Sequence, residues 1–140
     1  MSQKRAERFR PTVMVVDDEP MVCRILEKIL GEEGHNVVAA TSGEQALALA
    51  AEARPDIVLL DIVMPGMDGV ATLRELRRRG HHGPVVMLTA HGTVETAREA
   101  MNLGAYDYVT KPFNLNFLKS VIREGLHDRL QERRESACAH

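Results

Sequence analysis

The chain has 140 residues and a mass of 15.6 kDa, the size of one ordinary domain rather than two. Hydrophobic residues make up 44% and charged residues 27%, enough apolar content for a sizeable core and too much for a disordered chain. Lys plus Arg is 18 and Asp plus Glu is 20, so the net charge of -2 gives no global drive toward nucleic acid or an anionic membrane.

Thr12-Val13-Met14-Val15-Val16 is an apolar run between Pro11 and two carboxylates, and reads as a buried strand. A helical pattern follows in Met21, Val22, Ile25, Leu26, Ile29 and Leu30. Pro20 suits its first turn, where a missing N–H costs nothing, and Gly31 or Gly34 can end it. Asn36 to Ala40 is the next strand and Ser42 to Ala53 the next helix, with Ser42 as its N-cap. Asp56-Ile57-Val58-Leu59-Leu60-Asp61 is apolar throughout its middle, as expected of a strand covered on both faces. Met67 to Arg79 is helical, opened by an Asp68-Gly69 turn and closed by Gly80. Pro84 to Thr89 reads as a strand, Thr93 to Leu103 as a helix and Tyr106 to Thr110 as a strand. A last helix starts near Asn114 and runs past Leu130. Five strands alternating with five helices argue for a doubly wound α/β fold, a parallel sheet with helices on both faces.

The ends differ from the middle. Residues 1–10 carry Lys4, Arg5, Arg8 and Arg10 against only Glu7, and read as a flexible basic arm. Residues 11–118 form the domain core, and 119–140 continue the last helix into a tail. That helix has an apolar stripe at Leu115, Leu118, Ile122, Leu126 and Leu130, which suits packing on the sheet and leaves length for a coiled-coil-like contact. No apolar run approaches a membrane span, and Met1-Ser2-Gln3-Lys4-Arg5 is not followed by an apolar signal core. Cys23 and Cys138 fit neither a disulfide framework nor a CxxC metal pair. The expectation is a cytoplasmic globular protein.

In an open parallel sheet the functional crevice lies beyond the carboxyl ends of the strands. There the first strand presents Asp17-Asp18, the third Asp61, the fourth Thr89, and the fifth leads to Lys111-Pro112. Taken singly each has an ordinary explanation: an aspartate after a strand often caps a helix, threonine suits strands, and lysine suits surfaces. Together they make a demanding set. Three carboxylates held close repel one another, and one ammonium does not balance them. Clustered carboxylate oxygens with room for water suit Mg²⁺. Mg²⁺, a lysine and a hydroxyl can each bind phosphoryl oxygens, and the available nucleophile is itself a carboxylate. The residues point to phosphoryl transfer onto an aspartate.

From Pro11 to about Leu118 the chain resembles the receiver domains of bacterial two-component response regulators. The resemblance rests on Val15-Val16-Asp17-Asp18-Glu19-Pro20, on Leu59-Leu60-Asp61-Ile62-Val63-Met64-Pro65-Gly66-Met67-Asp68-Gly69, on Met87-Leu88-Thr89-Ala90, and on Gly104-Ala105-Tyr106-Asp107-Tyr108-Val109-Thr110-Lys111-Pro112-Phe113. It implies a flavodoxin-like sheet of order 2-1-3-4-5. Asp61 would be the phosphoacceptor, supplied by a sensor histidine kinase or phosphotransfer protein. Asp18, Asp61 and the backbone carbonyl of Val63 would bind Mg²⁺, with Asp17 acting largely through water. Lys111 would neutralise a phosphoryl oxygen, Thr89 would swing in to hydrogen-bond another, and Tyr108 would change rotamer as Thr89 moves. The resemblance also implies a cis Lys111-Pro112 bond, a form that sequence alone gives a share of about 5%.

Phosphorylation adds a charge of about -1.5 to -2 to this acidic site. The stretches carrying Thr89 and Lys111 should respond, making the fourth helix, fifth strand and fifth helix the output face, through a shift between two states. Homodimerisation through that face is a further expectation, motivated by the long last helix. Direct contact with nucleic acid or membrane is not expected. Val63 and His91 occupy places that tune self-dephosphorylation in such domains; Val63 has no group to orient water, and His91 can shield the phosphoryl or engage water.

Other features have simpler readings. His81-His82 after Arg77-Arg78-Arg79-Gly80 lacks metal-ligand spacing and reads as a solvated helix end whose cations complement the helix dipole. Arg133-Arg134 alternates with Glu132 and Glu135 as a solvated face, and Cys23 falls near the core stripe. Three rival functions fit less well. A non-phosphorylated interaction module would lack one of the acidic residues, the threonine or the lysine, and none is missing. A nucleotide or flavin site needs backbone donors where Asp17-Asp18-Glu19-Pro20 stands. An aspartyl phosphatase needs a second carboxylic acid two residues after Asp61, where Val63 sits. Such a domain accepts and loses its own phosphoryl group without turning over an external substrate. The Gly104-to-Phe113 stretch is similar to receivers ahead of transcription-activator ATPases, and both a free-standing receiver and a piece of a longer regulator fit.

Overall fold

Ten elements alternate along the chain in the computed structural model, which describes residues 10–90 and 94–138, the side chains of 94 and 133–138 excepted. They are β1 (Thr12–Val16), α1 (Pro20–Glu32), β2 (Asn36–Ala40), α2 (Gly43–Ala53), β3 (Ile57–Asp61), α3 (Gly69–Arg78), β4 (Val85–Thr89), α4 (Val94–Asn102), β5 (Asp107–Thr110) and α5 (Leu115–Cys138). The five strands form one parallel sheet in the order β2-β1-β3-β4-β5.

Local chemistry sets the element ends. Pro20 opens α1, and Gly34, at φ +92°, reverses the chain after it, so Gly31 stays inside the helix. Ser42 Oγ accepts the Gln45 amide at 3.1 Å, Asp68 Oδ1 accepts the Ala71 amide at 2.8 Å, and Asn114 Oδ1 accepts the Phe117 amide at 3.1 Å. These side chains cap α2, α3 and α5 by satisfying amides that lack a partner in the first turn. Asp68 therefore shortens the expected Met67-to-Arg79 helix at its start. Of the expected basic arm, residues 1–9 lie outside the described residues; Arg10 Nε donates to the Gly34 carbonyl at 3.1 Å.

Alternating strand residues feed two cores. Val13, Val15, Ile57, Leu59, Val86, Leu88 and Val109 pack under α1 and α5. Met14, Val16, Val58, Leu60, Val85 and Met87 pack under α2, α3 and α4. The apolar stripes prove narrower than their spacing suggests. In α1, Cys23, Leu26 and Leu30 are buried while Met21 and Ile25 are exposed. In α5, Leu118, Val121, Ile122 and Leu126 are buried, whereas Leu115 and Leu130 at the ends of the stripe are exposed. A helix rotates about 100° per residue, and a short strand covers only the turns directly above it.

No helix among the described residues is long and apolar enough to cross a membrane.

Candidate phosphoacceptor site

Strand parity assembles the site. Asp17 follows Val13 and Val15, Asp61 follows Ile57 and Leu59, and Lys111 follows Val109, all on the α1–α5 side of the sheet. Thr89 continues the opposite series of Val85 and Met87, so its hydroxyl belongs to the α4 side. Parallel register then levels the strand ends. Val16 pairs with Ala40 and Leu60, Asp61 with Leu88, and Thr89 with Thr110. The Lys111 amide donates to the Thr89 carbonyl at 2.8 Å, and the Lys111–Pro112 bond is cis.

The carboxylates of Asp17, Asp18 and Asp61 each bring an oxygen within 4.8 Å of the others. Asp17 and Asp61 are buried and Asp18 is half-buried. Lys111 Nζ donates to Asp17 Oδ2 at 2.6 Å and to Asp61 Oδ2 at 3.4 Å. Asp17 Oδ1 also accepts the Glu19 amide at 2.9 Å, while Asp61 Oδ1 accepts the Val63 amide at 3.3 Å. Asp17 therefore takes the shorter contacts, and Asp61 keeps the looser ones. Burial, then repulsion from Asp17, raises the Asp61 carboxyl to about 6 against the pull of Lys111. Burial alone would lower the Lys111 ammonium, but its hydrogen bond to Asp17 and the charges of Asp17 and Asp61 leave it raised overall.

This donor set fits a hard divalent cation. Three carboxylates lie together, one ammonium contacts two of them, and the candidate ligand atoms are all oxygen. Asp17, Asp18 and Asp61 are the residues that would hold Mg²⁺. Val63, two residues after Asp61, is 61% exposed.

Thr89 is buried, and its Oγ1 has no hydrogen-bond partner among the described residues. A buried hydroxyl without a partner carries a desolvation cost of about 1–3 kcal/mol. Thr89→Val, which keeps the shape and removes the oxygen, should therefore leave stability unchanged or raise it by about 1 kcal/mol. Thermal melting checks this, and a clear loss of stability would mean that the hydroxyl already has a structural partner. Tyr108, on β5, is half exposed at 47%. His91 lies outside the described residues.

Gly69 has a role here that its reading as a turn residue missed. A Cβ added to it would sit 2.7 Å from Ile62 Cα and nearer still to the Asp61 carbonyl oxygen. Its amide donates to the Ile62 carbonyl at 2.8 Å. The start of α3 is thus pressed directly against the backbone that carries Asp61. The signal was present as Asp68-Gly69, eight residues after Asp61, but a turn explains the same pair.

The basic helix end at Arg77–His82 is only partly the solvated surface that its charge suggests. His82, Arg78 and Arg79 are exposed, but Arg77 and His81 are half-buried. Burial, followed by the positive charges of Arg77 and Arg129, pushes His81 down to about 4, so it is neutral near pH 7. It lies at the opposite edge of the sheet from the acidic cluster and takes no part in it. Cys23 is buried, with its Sγ 3.4 Å from the Asp17 carbonyl oxygen.

The model for the response regulator receiver domain matches residues 13–123. The chain is 43% identical over 114 residues to the regulatory protein AtoC of Escherichia coli (strain K12), spanning 81% of this chain and 25% of that protein. It is 42% identical over 133 residues to the transcriptional regulatory protein ZraR of Salmonella typhimurium, spanning 95% of this chain and 27% of that protein. The chain thus covers about a quarter of the length of these curated relatives. Among solved structures, a CheY-like response regulator receiver domain protein from Methanospirillum hungatei JF-1 aligns with a TM-score of 0.85 at 27% identity, covering 88% of this chain and 98% of that one. NtrX from Brucella abortus aligns with a TM-score of 0.85 at 36% identity, covering 93% of this chain and 30% of that one.

Proposed function

The chain belongs to the response regulator receiver domain family of two-component signal transduction, and from that premise we propose that Asp61 accepts a phosphoryl group and that Thr89 and Tyr108 relay its arrival to the α4–β5–α5 face. The observation that carries this reading is the sharing of one Lys111 ammonium between two buried carboxylates, with Asp61 on the longer contact. Asp17 is held by Lys111 at 2.6 Å and by the Glu19 amide at 2.9 Å; Asp61 has only the longer contacts, to Lys111 at 3.4 Å and to the Val63 amide at 3.3 Å.

In the transfer, an Asp61 oxygen forms the new P–O bond as the donor's P–N bond to a histidine imidazole breaks. A bound Mg²⁺ would supply positive charge to the phosphoryl oxygens. Lys111 neutralises a further phosphoryl oxygen, and the Thr89 hydroxyl, without a partner among the described residues, gains one in the phosphorylated state. Its displacement frees room for Tyr108 to turn inward from its half-exposed position. The domain carries out and reverses its own phosphorylation without an external turnover substrate.

The partners that suit this chemistry are a sensor histidine kinase or phosphotransfer protein. Met101, Tyr108, Leu115 and Phe117 are exposed on α4, β5 and α5, which supports this face as the output surface and as the seat of a homodimer. Residues 11–118 would be the phosphorylated unit, followed by the rest of the last helix, to Cys138. Cytoplasmic placement is part of this proposal, and regulation of transcription within a longer protein follows the names of relatives such as the transcriptional regulatory protein ZraR.

Intact mass after incubation with Mg²⁺ and a small acyl-phosphate donor tests the reading. The parent should gain one phosphoryl group, and both Asp61→Asn and EDTA-treated parent should gain none. No gain in the parent, from this donor or from a phosphohistidine protein, would sink the proposal. Lys111→Met supplies a second test. Removing the cation leaves two buried carboxylates facing each other, so the metal-free variant should lose about 3 kcal/mol in urea unfolding. Mg²⁺ should then stabilise the variant more than the parent. Equal stability without metal would mean that Lys111 is not the counter-ion of the pair.

A further inference from the structure

Two cavities open at the edge of the sheet opposite Asp61, where the chain enters β3 and β4. The first, of about 350 Å³, is lined by Arg54, Arg79, His81, His82 and Arg129 and, among the described residues, by no carboxylate. Leu47, Pro55 and Leu76 add apolar walls. The second, of about 490 Å³, shares His82 and Arg129 but also presents Asp128 and Glu132. Of the two, the first is the cationic one.

The arginines at this edge are used unequally. Arg77, in the last turn of α3, gives its guanidinium to four main-chain carbonyls. Nη1 donates to His81 at 2.9 Å and Gly83 at 2.8 Å, Nη2 to Gly104 at 2.8 Å and Nε to Leu103 at 3.3 Å. Arg79 is paired with Glu75 at 3.0 Å. Arg129, half-buried on α5, has no ion pair among the described residues, and its buried Nε has no hydrogen-bond partner there. The Nε2 of half-buried His81 is unpartnered in the same way. Both groups flank Gly83: a Cβ placed on that glycine would sit 3.5 Å from His81 Nε2 and 3.6 Å from Arg129 Cζ.

Helix dipoles account for part of this charge, since Arg54 and Arg79 stand at the carboxyl ends of α2 and α3. They do not account for Arg129, which lies within α5. A half-buried guanidinium without an acceptor carries a desolvation cost that an anion in the cavity would relieve. We propose that this cavity binds a phosphate group, free or carried on a small organic molecule, at a site separate from the one at Asp61. Arg54 and Arg129 would offer guanidinium forks suited to phosphate oxygens, with His81 beside them. The volume falls at the lower end of ordinary ligand sites, and the apolar walls suit an organic part next to the phosphate. His81 is held down to about 4 by burial, then by Arg77, Arg129 and His82, with Asp56 pulling the other way. A bound dianion opposes those cations and should draw a proton onto the ring.

NMR titration of the metal-free chain in EDTA, at an ionic strength held constant with chloride, tests the site. Inorganic phosphate, phenyl phosphate and sulfate are the probes. With the first two, the amides of Arg54, His82 and Gly83 should shift and saturate, while those of Val63 and Lys111 stay in place. Arg129→Gln should bind about tenfold more weakly, the loss of one charge-assisted contact. Arg54→Gln, at an exposed position, carries the same expectation should loss of Arg129 disturb the fold, which the sheet amides of Leu59 and Val86 report. Tighter binding of phenyl phosphate assigns an organic phosphate, and equal or weaker binding assigns the free ion. Sulfate, doubly charged throughout the range, should raise the midpoint of the His81 ring above about 4. Shifts that do not saturate, that centre on Lys111, or that are the same in both variants would overturn the proposal. So would a His81 midpoint that saturating sulfate leaves unmoved.

Discussion

Asp61→Asn is expected to stabilise the metal-free protein near neutral pH while abolishing its capacity to take up a phosphoryl group. The Asp61 carboxyl rises from 3.8 to about 6 because burial, and then Asp17, disfavour its ionised form. A tenfold change in proton affinity is worth about 1.4 kcal/mol, so the ionised side chain costs the native state about 2–3 kcal/mol. Between pH values near the unfolded and folded pKa, the native state binds the extra proton, so stability falls as pH rises through that window. Above about 6 the full penalty is present, and below about 4 it is gone. Urea unfolding in EDTA should therefore show the variant ahead of the parent at neutral pH, with the difference closing on acidification to about pH 4. A variant less stable than the parent at neutral pH would mean that Asp61 contributes a net favourable contact. Mg²⁺ should reverse the order by stabilising the parent more than the variant.

Gly69→Ala should have the largest structural effect of any single methyl addition among the described glycines outside α2. The new Cβ meets backbone on two sides, the Asp61 carbonyl and Ile62 Cα, and backbone at a strand end cannot rotate away as a side chain does. Overpacking of this kind costs about 3 kcal/mol or more. Relief requires α3 or the end of β3 to move, and that displaces Asp61 from Lys111. Stability and phosphoryl uptake should fall together. Gly31→Ala is the matching control: nothing lies within 4 Å of its Cβ position and it sits inside α1. There the same methyl should add about 0.5–1 kcal/mol by reducing the freedom of the unfolded chain. Thermal melts of the two variants should move in opposite directions, and a Gly69→Ala protein as stable as the parent would refute the close-packed junction.

The fold was legible because the apolar runs at Val13–Val16, Ile57–Leu60 and Val85–Leu88 admit few readings, and their polar ends fall at one edge of a parallel sheet. The acidic cluster was legible for the same reason, since parity puts Asp17, Asp61 and Lys111 on one side once those strands are placed. Met21, Ile25, Leu115 and Leu130 belong to the apolar patterns of their helices yet are exposed. Periodicity marks a direction on a helix but does not say how far the sheet beneath it extends. Arg77 was absorbed into a run of basic residues, because its partners are backbone carbonyls up to 27 positions away, which leave no side-chain signature. The cramped junction at Gly69 was hidden by a sufficient local explanation. The unequal contacts of Lys111 with Asp17 and Asp61 required coordinates.

The central claim is that, of three clustered carboxylates, Asp61 takes the phosphoryl group. Hydroxylamine converts an acyl phosphate to a hydroxamate and fixes its position for peptide mass mapping. After treatment with Mg²⁺ and an acyl-phosphate donor, the label should appear at Asp61, and Asp61→Asn should yield none. A hydroxamate at Asp17 or Asp18, or a phosphoryl group that resists hydroxylamine, would contradict the account.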